Sequence, residues 1–246
     1  MSHYFISGAS SGIGKALAIA LASKGHIVSI VARRIEHLKE LQKEQKNIHI
    51  FPADVSNSSE IKRMVKACLK NVGSIDCAIL NAGKYLPLGG DDLNSEEFNA
   101  HMSVNYMGVV HILASLIPEF KNLQKGHIVI MGSTAGYRGL PRSAAYGPTK
   151  AALSNLAEAL YLDLTPMGIK VQIISPGFVE TEATAINDFK MPQIISAEKA
   201  AAKIIKGLKS NQFEICFPKG FVYIMKFLKI LPNSLYFKII KWVTKK

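Results

Sequence analysis

Residues 3–14 read His3, Tyr4, Phe5, Ile6, Ser7, Gly8, Ala9, Ser10, Ser11, Gly12, Ile13, Gly14. A short apolar run ends in a glycine cluster, and Lys15–Lys24, rich in Ala and Leu, follows with the composition of a helix. Gly8, Gly12 and Gly14 therefore lie between a strand and a helix. Glycines at such a junction let the backbone approach a pyrophosphate, and the helix N-terminus supplies N–H groups and a positive dipole end. The spacing differs from the commoner Gly-x-Gly-x-x-Gly, so the loop alone is equally a tight strand–helix turn without a ligand.

The same alternation continues along the chain. His26–Ala32, Asn47–Phe51, Ile75–Leu80, His127–Gly132, Ile169–Ile174 and Phe213–Phe217 read as strands. Ile35–Lys46, Ser59–Asn71, Ser95–Phe120, Ser143–Met167 and Ser196–Lys209 read as helices, the last with a capping serine. Continuous apolar strands separated by helices imply a parallel sheet covered on both faces. The fold class is α/β: a single doubly wound, Rossmann-like parallel sheet of about seven strands, with a C-terminal helical appendage. We divide the chain into a dinucleotide-binding and catalytic domain, 1–218, and a tail, 219–246.

Composition narrows the function. The 246 residues are 48% hydrophobic and carry a formal charge of +12. Residues 219–246 hold seven lysines and no Asp or Glu, so +7 belongs to the tail and +5 to the other 218 residues. Basicity that belongs mainly to an appendage argues against nucleic acid as the partner. Three scattered cysteines, Cys68, Cys77 and Cys216, give neither a disulfide framework nor a zinc spacing, and no His/Asp/Glu cluster points to a metal. The first residues do not read as a signal peptide, and no run of 18 uncharged apolar residues reads as a simple span. A cytoplasmic chain is expected, with a tail able to hold the inner face of a membrane.

Two further features bear on chemistry. Strand two ends in Ala32, Arg33, Arg34, where a carboxylate would bind an NAD ribose. Two guanidiniums suit a 2′-phosphate, favouring NADP(H) over NAD(H), for which Glu36 is the nearest acid. Tyr146 and Lys150 lie four apart on one helical face, with Pro148 early in that helix and Ser133 thirteen residues upstream. A phenol near its reference pKa is a poor base at neutral pH. Lowering it by about three units requires roughly 4 kcal/mol, which a close cation in a partly dry site can supply.

With these pieces placed, residues 3–217 resemble the short-chain dehydrogenase/reductase family. Ser7-Gly8-Ala9-Ser10-Ser11-Gly12-Ile13-Gly14 is similar to its Thr-Gly-x-x-x-Gly-x-Gly signature, with Ser for Thr. Asp54-Val55 is similar to the pair that meets adenine, and Leu80-Asn81-Ala82-Gly83 to Asn-Asn-Ala-Gly with Leu in first place. Asn105, Ser133, Tyr146 and Lys150 match the four catalytic positions, and Pro176-Gly177, Val179 and Thr181 the loop that holds the nicotinamide amide.

The resemblance implies hydride transfer between NADP(H) and a carbonyl or secondary alcohol. Tyr146 would act as acid/base and Ser133 would bind the same oxygen. Lys150 would depress the tyrosine pKa and reach the nicotinamide ribose, and Asn105 would hold a water. The segments Lys84–Leu88, Ala135–Pro141 and Phe178–Ile195 should contact substrate; being mostly apolar, with Arg138 and Arg142 as exceptions, they favour a hydrophobic or lipid-derived one. Homo-oligomers are usual in that family, so the resemblance implies a homo-dimer or homo-tetramer, in which the two long helices could pair across a two-fold axis. In the tail, Phe221–Val243 reads as two helices split by Pro232-Asn233. Leu235, Ile239 and Trp242 share one face and Lys238, Lys241 and Lys245 another, a pattern suited to an anionic membrane surface, to a flap or to an oligomer contact. The alternatives to an enzyme are an NADP(H)-binding redox sensor and a membrane-surface scaffold without turnover.

Overall fold

The computed structural model describes residues 1–244; Lys245, assigned above to the basic face of the tail, lies outside them together with Lys246. The chain runs β1 (His3–Ser7), α1 (Gly12–Ala22), β2 (Ile27–Ala32), α2 (Ile35–Glu44), β3 (Ile48–Pro52), α3 (Ser58–Val72) and β4 (Cys77–Leu80). It continues through α4 (Ser95–Met102), α5 (Gly108–Leu123), β5 (Gly126–Met131), α6 (Tyr146–Leu164) and β6 (Ile169–Pro176). The last part holds β7 (Val179–Glu180), β8 (Ile195–Ser196), α7 (Ala197–Leu208), β9 (Glu214–Phe217), α8 (Lys219–Ile230) and α9 (Asn233–Thr244).

Seven strands form one parallel sheet in the order β3-β2-β1-β4-β5-β6-β9. The order reverses between β1 and β4, where Ser7 is in register with both Val31 and Leu80. Crossovers on either side leave to opposite faces, so a crevice opens beyond the C-terminal ends of these strands. Alternation along β1 shows the two-sided burial: Ile6 packs in a core with Leu17, Leu21 and Ile204, while Phe5 packs in the opposite core with Ile61, Ile112 and Leu153. Both are fully buried, worth about 2–3 kcal/mol each.

The long helix read over Ser95–Phe120 is interrupted. Asn94 caps α4 by accepting from the N–H groups of Glu96 (2.9 Å) and Glu97 (3.2 Å). Ser103–Met107 then form a π-helical turn before α5. The extra residue aims Asn105 inward and seats Gly108 on Val55, where a Cβ would come within 2.7 Å of a valine methyl. Ser95–Leu123 as a whole has the length (29 residues) and mean hydropathy (1.3) to cross a membrane. Val109, Ile112, Leu116 and Phe120 instead form part of the core against the sheet.

The short parallel pair β7–β8 fell inside a stretch read as loop. Two-residue strands carry too little period-2 signal to be read. The tail is helical as expected, but its buried face differs. Tyr236 is buried, with Ile239 and Ile240 packed beside it, whereas Trp242 is 81% exposed and Leu235 45% exposed. The body supplies the partner face through Tyr137 and Leu140, which heptad spacing in α9 alone does not reveal.

Candidate active site

The crevice at the β1/β4 switch point opens into a cavity of about 1580 Å³. A typical small-ligand pocket is roughly 300–1,000 Å³, so a dinucleotide and a second molecule have room here.

The glycine loop forms one end. Gly8 (φ 68°) and Gly12 (φ 54°) occupy the left-handed region, and a Cβ on Gly8 would lie 2.6 Å from Ala82 Cα. Gly14 lies behind the loop and does not line the cavity; a Cβ there would meet the Gly8 carbonyl oxygen at 2.3 Å. Ser7 Oγ accepts from the N–H groups of Asn81 (3.0 Å) and Ala82 (3.1 Å). Asn81 Nδ2 donates to the Ser7 and Gly8 carbonyls at 3.2 and 3.0 Å. A hydroxyl is all this stitch requires, so Ser in place of Thr keeps it, and Leu80 is simply core. Ser11 makes no side-chain cap to α1 and the first turn holds no carboxylate, which leaves that N-terminus fit for a phosphate.

Beyond the end of β2, Arg33 and Arg34 both line the cavity. Arg34 donates to Ser10 Oγ (3.0 and 3.2 Å), Ser11 Oγ (2.7 Å) and Glu182 Oε2 (2.9 Å). Arg33 lies 3.8 Å from Asp54, with its side chain 72% exposed. Burial alone would raise the Asp54 pKa, but hydrogen bonds from the Ser56 N–H and hydroxyl, with the Arg33 charge, hold it below the ordinary value. Glu36 is occupied with Lys39 at 3.1 Å. Val55, Ala82, Gly83, Ile13, Pro176, Gly177, Val179 and Thr181 complete the lining expected of a dinucleotide, and Thr184 Oγ1 accepts from the Thr181 N–H at 3.0 Å.

Ser133, Tyr146 and Lys150 all line the cavity. Ser133 caps the short 3₁₀ turn Thr134–Gly136, accepting from the Ala135 N–H at 3.1 Å. Gly136 lets that turn lie directly on α6, where a Cβ would be 2.7 Å from the Lys150 carbonyl carbon. Lys150 Nζ is 5.5 Å from the Tyr146 ring centroid and donates to the Met131 carbonyl at 2.7 Å. Burial lowers the Lys150 pKa to about 8. The phenol behaves differently from expectation. Burial pushes Tyr146 up to about 12; the hydrogen bond with Ser133 opposes this only in part, and Tyr85 nearby adds to the rise. Desolvation of a phenolate here outweighs its stabilisation.

Asn105 is fully buried and does not line the cavity. Its Oδ1 accepts from the Lys84 N–H (2.6 Å), and its Nδ2 donates to the Lys84 carbonyl and Thr149 Oγ1 (both 3.0 Å). Thr149 in turn donates to the Tyr146 carbonyl at 2.7 Å. The amide is thus engaged with protein, and its side chain ties the Lys84 segment to the first turn of α6.

Two groups escaped the sequence reading as individuals. Tyr85 stacks edge-on against Tyr146 (centroids 5.0 Å, 84°) and donates to Asn187 Oδ1 at 2.8 Å; its position two residues beyond Ala82-Gly83 was the available signal. The tail also walls the cavity through Phe221, Ile224, Met225, Leu228, Ile239 and Ile240. Arg138 and Arg142, read as possible anion contacts, are otherwise engaged. Arg138 donates to the Leu228 (2.9 Å) and Leu231 (2.6 Å) carbonyls and to Asn233, and stacks on Tyr236 at 4.0 Å. Arg142 Nη1 donates to both carboxylate oxygens of Asp188, at 2.8 and 2.9 Å.

A doubly wound parallel sheet, a glycine cradle at its switch point and a Ser/Tyr/Lys set lining one cavity define a Rossmann-like oxidoreductase. The short chain dehydrogenase family matches over residues 2–190, and the chain belongs to it. An uncharacterized oxidoreductase of Myxococcus xanthus is 33% identical over 235 residues, 94% of this chain and 93% of that protein. A short chain dehydrogenase/reductase of Burkholderia phymatum, solved in complex with NAD, superposes with a TM-score of 0.84 at 22% identity, covering 92% of each chain. A serine dehydrogenase in its closed form with NADP+ gives 0.79 at 25% identity, covering 86% of this chain and 93% of that one.

Proposed function

We propose that the protein is an NADP(H)-dependent oxidoreductase interconverting a hydrophobic carbonyl and a secondary alcohol. The observation that carries this reading is the convergence of Ser133, Tyr146 and Lys150 in one cavity with the glycine cradle. The nicotinamide cofactor, when bound, supplies or accepts the hydride. Gly8, Ser10, Ser11, Gly12 and Ile13 would hold its phosphates, and Arg33 and Arg34 its 2′-phosphate. Asp54 and Val55 would meet the adenine, and Pro176, Gly177, Val179 and Thr181 the nicotinamide amide.

Tyr146, protonated throughout the neutral range, donates its proton to the oxygen of the reduced carbonyl. Ser133 binds that oxygen and orients it. Lys150 supplies positive charge as the phenolate forms and would hold the ribose hydroxyls of the cofactor. Asn105, through Thr149 and the Lys84 backbone, fixes the turn that carries Tyr146. The apolar walls support a hydrophobic substrate: Phe178 packs on Phe189 (5.9 Å) and on Phe221 of the tail (5.4 Å). A homo-dimer or homo-tetramer is inferred from family habit.

The test is reduction of a panel of aliphatic and aromatic ketones with NADPH and with NADH. We expect turnover that prefers apolar ketones and NADPH, and a loss of at least about a hundredfold in kcat for Tyr146→Phe. Cofactor binding without turnover of any ketone or alcohol would favour the redox-sensor reading.

A further inference from the structure

Helix α8 is apolar on nearly every side. Val222, Met225 and Leu228 face the body and are buried. The opposite side carries Tyr223, Phe227 and Ile230, spaced i, i+4, i+7 and 59%, 58% and 77% exposed. A helix apolar all round is ordinarily buried, in protein or in lipid. On α9, Phe237 and Trp242 are also exposed, at 55% and 81%, on either side of Lys238 and Lys241 around the helix. Among the described residues of the hairpin every charged group is a lysine. Lys226 is engaged with Glu214 of β9 and Lys229 Nζ lies 5.8 Å from the Tyr137 ring centroid, while Lys238 and Lys241 are exposed.

This face is continuous with the active-site cavity. Ile224 and Val243 both line the cavity, yet are 55% and 62% exposed, so they form part of its rim. The hairpin is also held rigidly. Arg138 binds the carbonyls at the end of α8, and Tyr137 donates to the Glu214 carboxylate that also accepts from Lys226. Arg138 and Tyr137 stand a few residues after Ser133.

We propose that the α8–α9 hairpin docks on an anionic lipid bilayer, with Tyr223, Phe227, Ile230, Phe237 and Trp242 in the interface, so that the cavity rim meets the lipid. An exposed aromatic and aliphatic face flanked by lysines, with no carboxylate of its own, matches the acyl boundary and anionic headgroups together. A second copy of the chain would meet the same lysines and offer no complementary charge from this face. Resting on the oxidoreductase reading, the inference assigns the substrate to carbonyl compounds dissolved in the bilayer, reached past Ile224 and Val243.

Trp242 is the only tryptophan, so its fluorescence reports the hairpin directly. The full chain is titrated with vesicles of phosphatidylglycerol and phosphatidylcholine, and with phosphatidylcholine alone. We expect a blue shift, quenching by brominated acyl chains and flotation with the anionic vesicles. Reversing Lys229, Lys238 and Lys241 to Glu should weaken binding about a hundredfold. Phe227→Ser with Ile230→Ser should abolish the blue shift while melting and turnover of a water-soluble ketone stay unchanged. Unaltered Trp242 emission with anionic vesicles overturns the proposal, as does a blue shift that follows protein concentration without lipid, which would mark self-association. Docking without turnover of any ketone would sink the oxidoreductase reading alone. Turnover in solution without docking would sink this inference alone.

Discussion

Lys150 Nζ donates to the carbonyl oxygen of Met131 at 2.7 Å, joining the first turns of α6 to the end of β5 beneath the active site. The ammonium is 3% exposed, and burial lowers its pKa to about 8. Since the folded pKa lies below the unfolded one, the unfolded chain binds the extra proton between about pH 8 and the ordinary lysine range. Lys150 therefore costs stability in full below about pH 8, and the cost fades as pH rises toward the unfolded value. At pH 7 it amounts to roughly 3 kcal/mol, offset by about 1 kcal/mol from the hydrogen bond. Lys150→Met should raise the melting temperature at pH 7, more than at pH 10, while abolishing turnover. Equal shifts at the two pH values would refute the assignment.

Lys150 and Tyr146 together set the direction of catalysis with pH. Reduction uses the protonated phenol, which Tyr146 retains up to about 12, and is helped by the Lys150 charge, lost above about 8. Carbonyl reduction should hold from pH 6 to 8 and decline above. Alcohol oxidation, which needs the phenolate, should rise across the same range. Initial rates in both directions check this, and an oxidation rate independent of pH would contradict it.

Ser7 is a core hydroxyl with a defined task, since two N–H groups of the β4 turn end on it. Ser7→Ala leaves both without that acceptor and should cost about 2 kcal/mol in urea denaturation. Ser7→Thr should be tolerated. Gly14→Ala, with its new methyl 2.3 Å from the Gly8 carbonyl, should shift the whole loop and weaken cofactor binding by at least tenfold.

Arg34 reaches Ser10, Ser11 and Glu182 at one end of the cavity, and Arg33 stands free enough to swing inward. A charge-assisted contact to a 2′-phosphate is worth about 1.5–3 kcal/mol. Arg33→Ala and Arg34→Ala should each raise the KM for NADPH by roughly tenfold to a hundredfold, leaving that for NADH within a few-fold. Parallel losses with both cofactors would point to a structural role instead.

Arg138 joins the active-site loop to the turn between α8 and α9. Arg138→Ala removes a cation from three carbonyl acceptors and should cost about 2 kcal/mol, loosening the tail before the body unfolds. Limited proteolysis should then cut near residues 230–233 at concentrations that leave the natural chain intact. Unchanged cleavage would show that the tail is held by its apolar face alone.

The sequence by itself determined the sheet, because its strands are continuous apolar runs and its helices carry clear periods. It also determined the glycine loop, the arginine pair and the Ser133–Tyr146–Lys150 set, whose order and spacing need no third dimension to be read. Only the tertiary structure decided the rest. Whether a buried cation lowers a phenol's pKa depends on how desolvation balances the hydrogen bonds and charges around it, and here desolvation wins. The π-turn at Asn105 answers to partners far away in sequence, Lys84 and Thr149. Arg138 looks like a substrate contact until the tail folds over it. Which faces of α8 and α9 are buried follows from the surface they lean on, since both helices offer more apolar sides than one contact can cover.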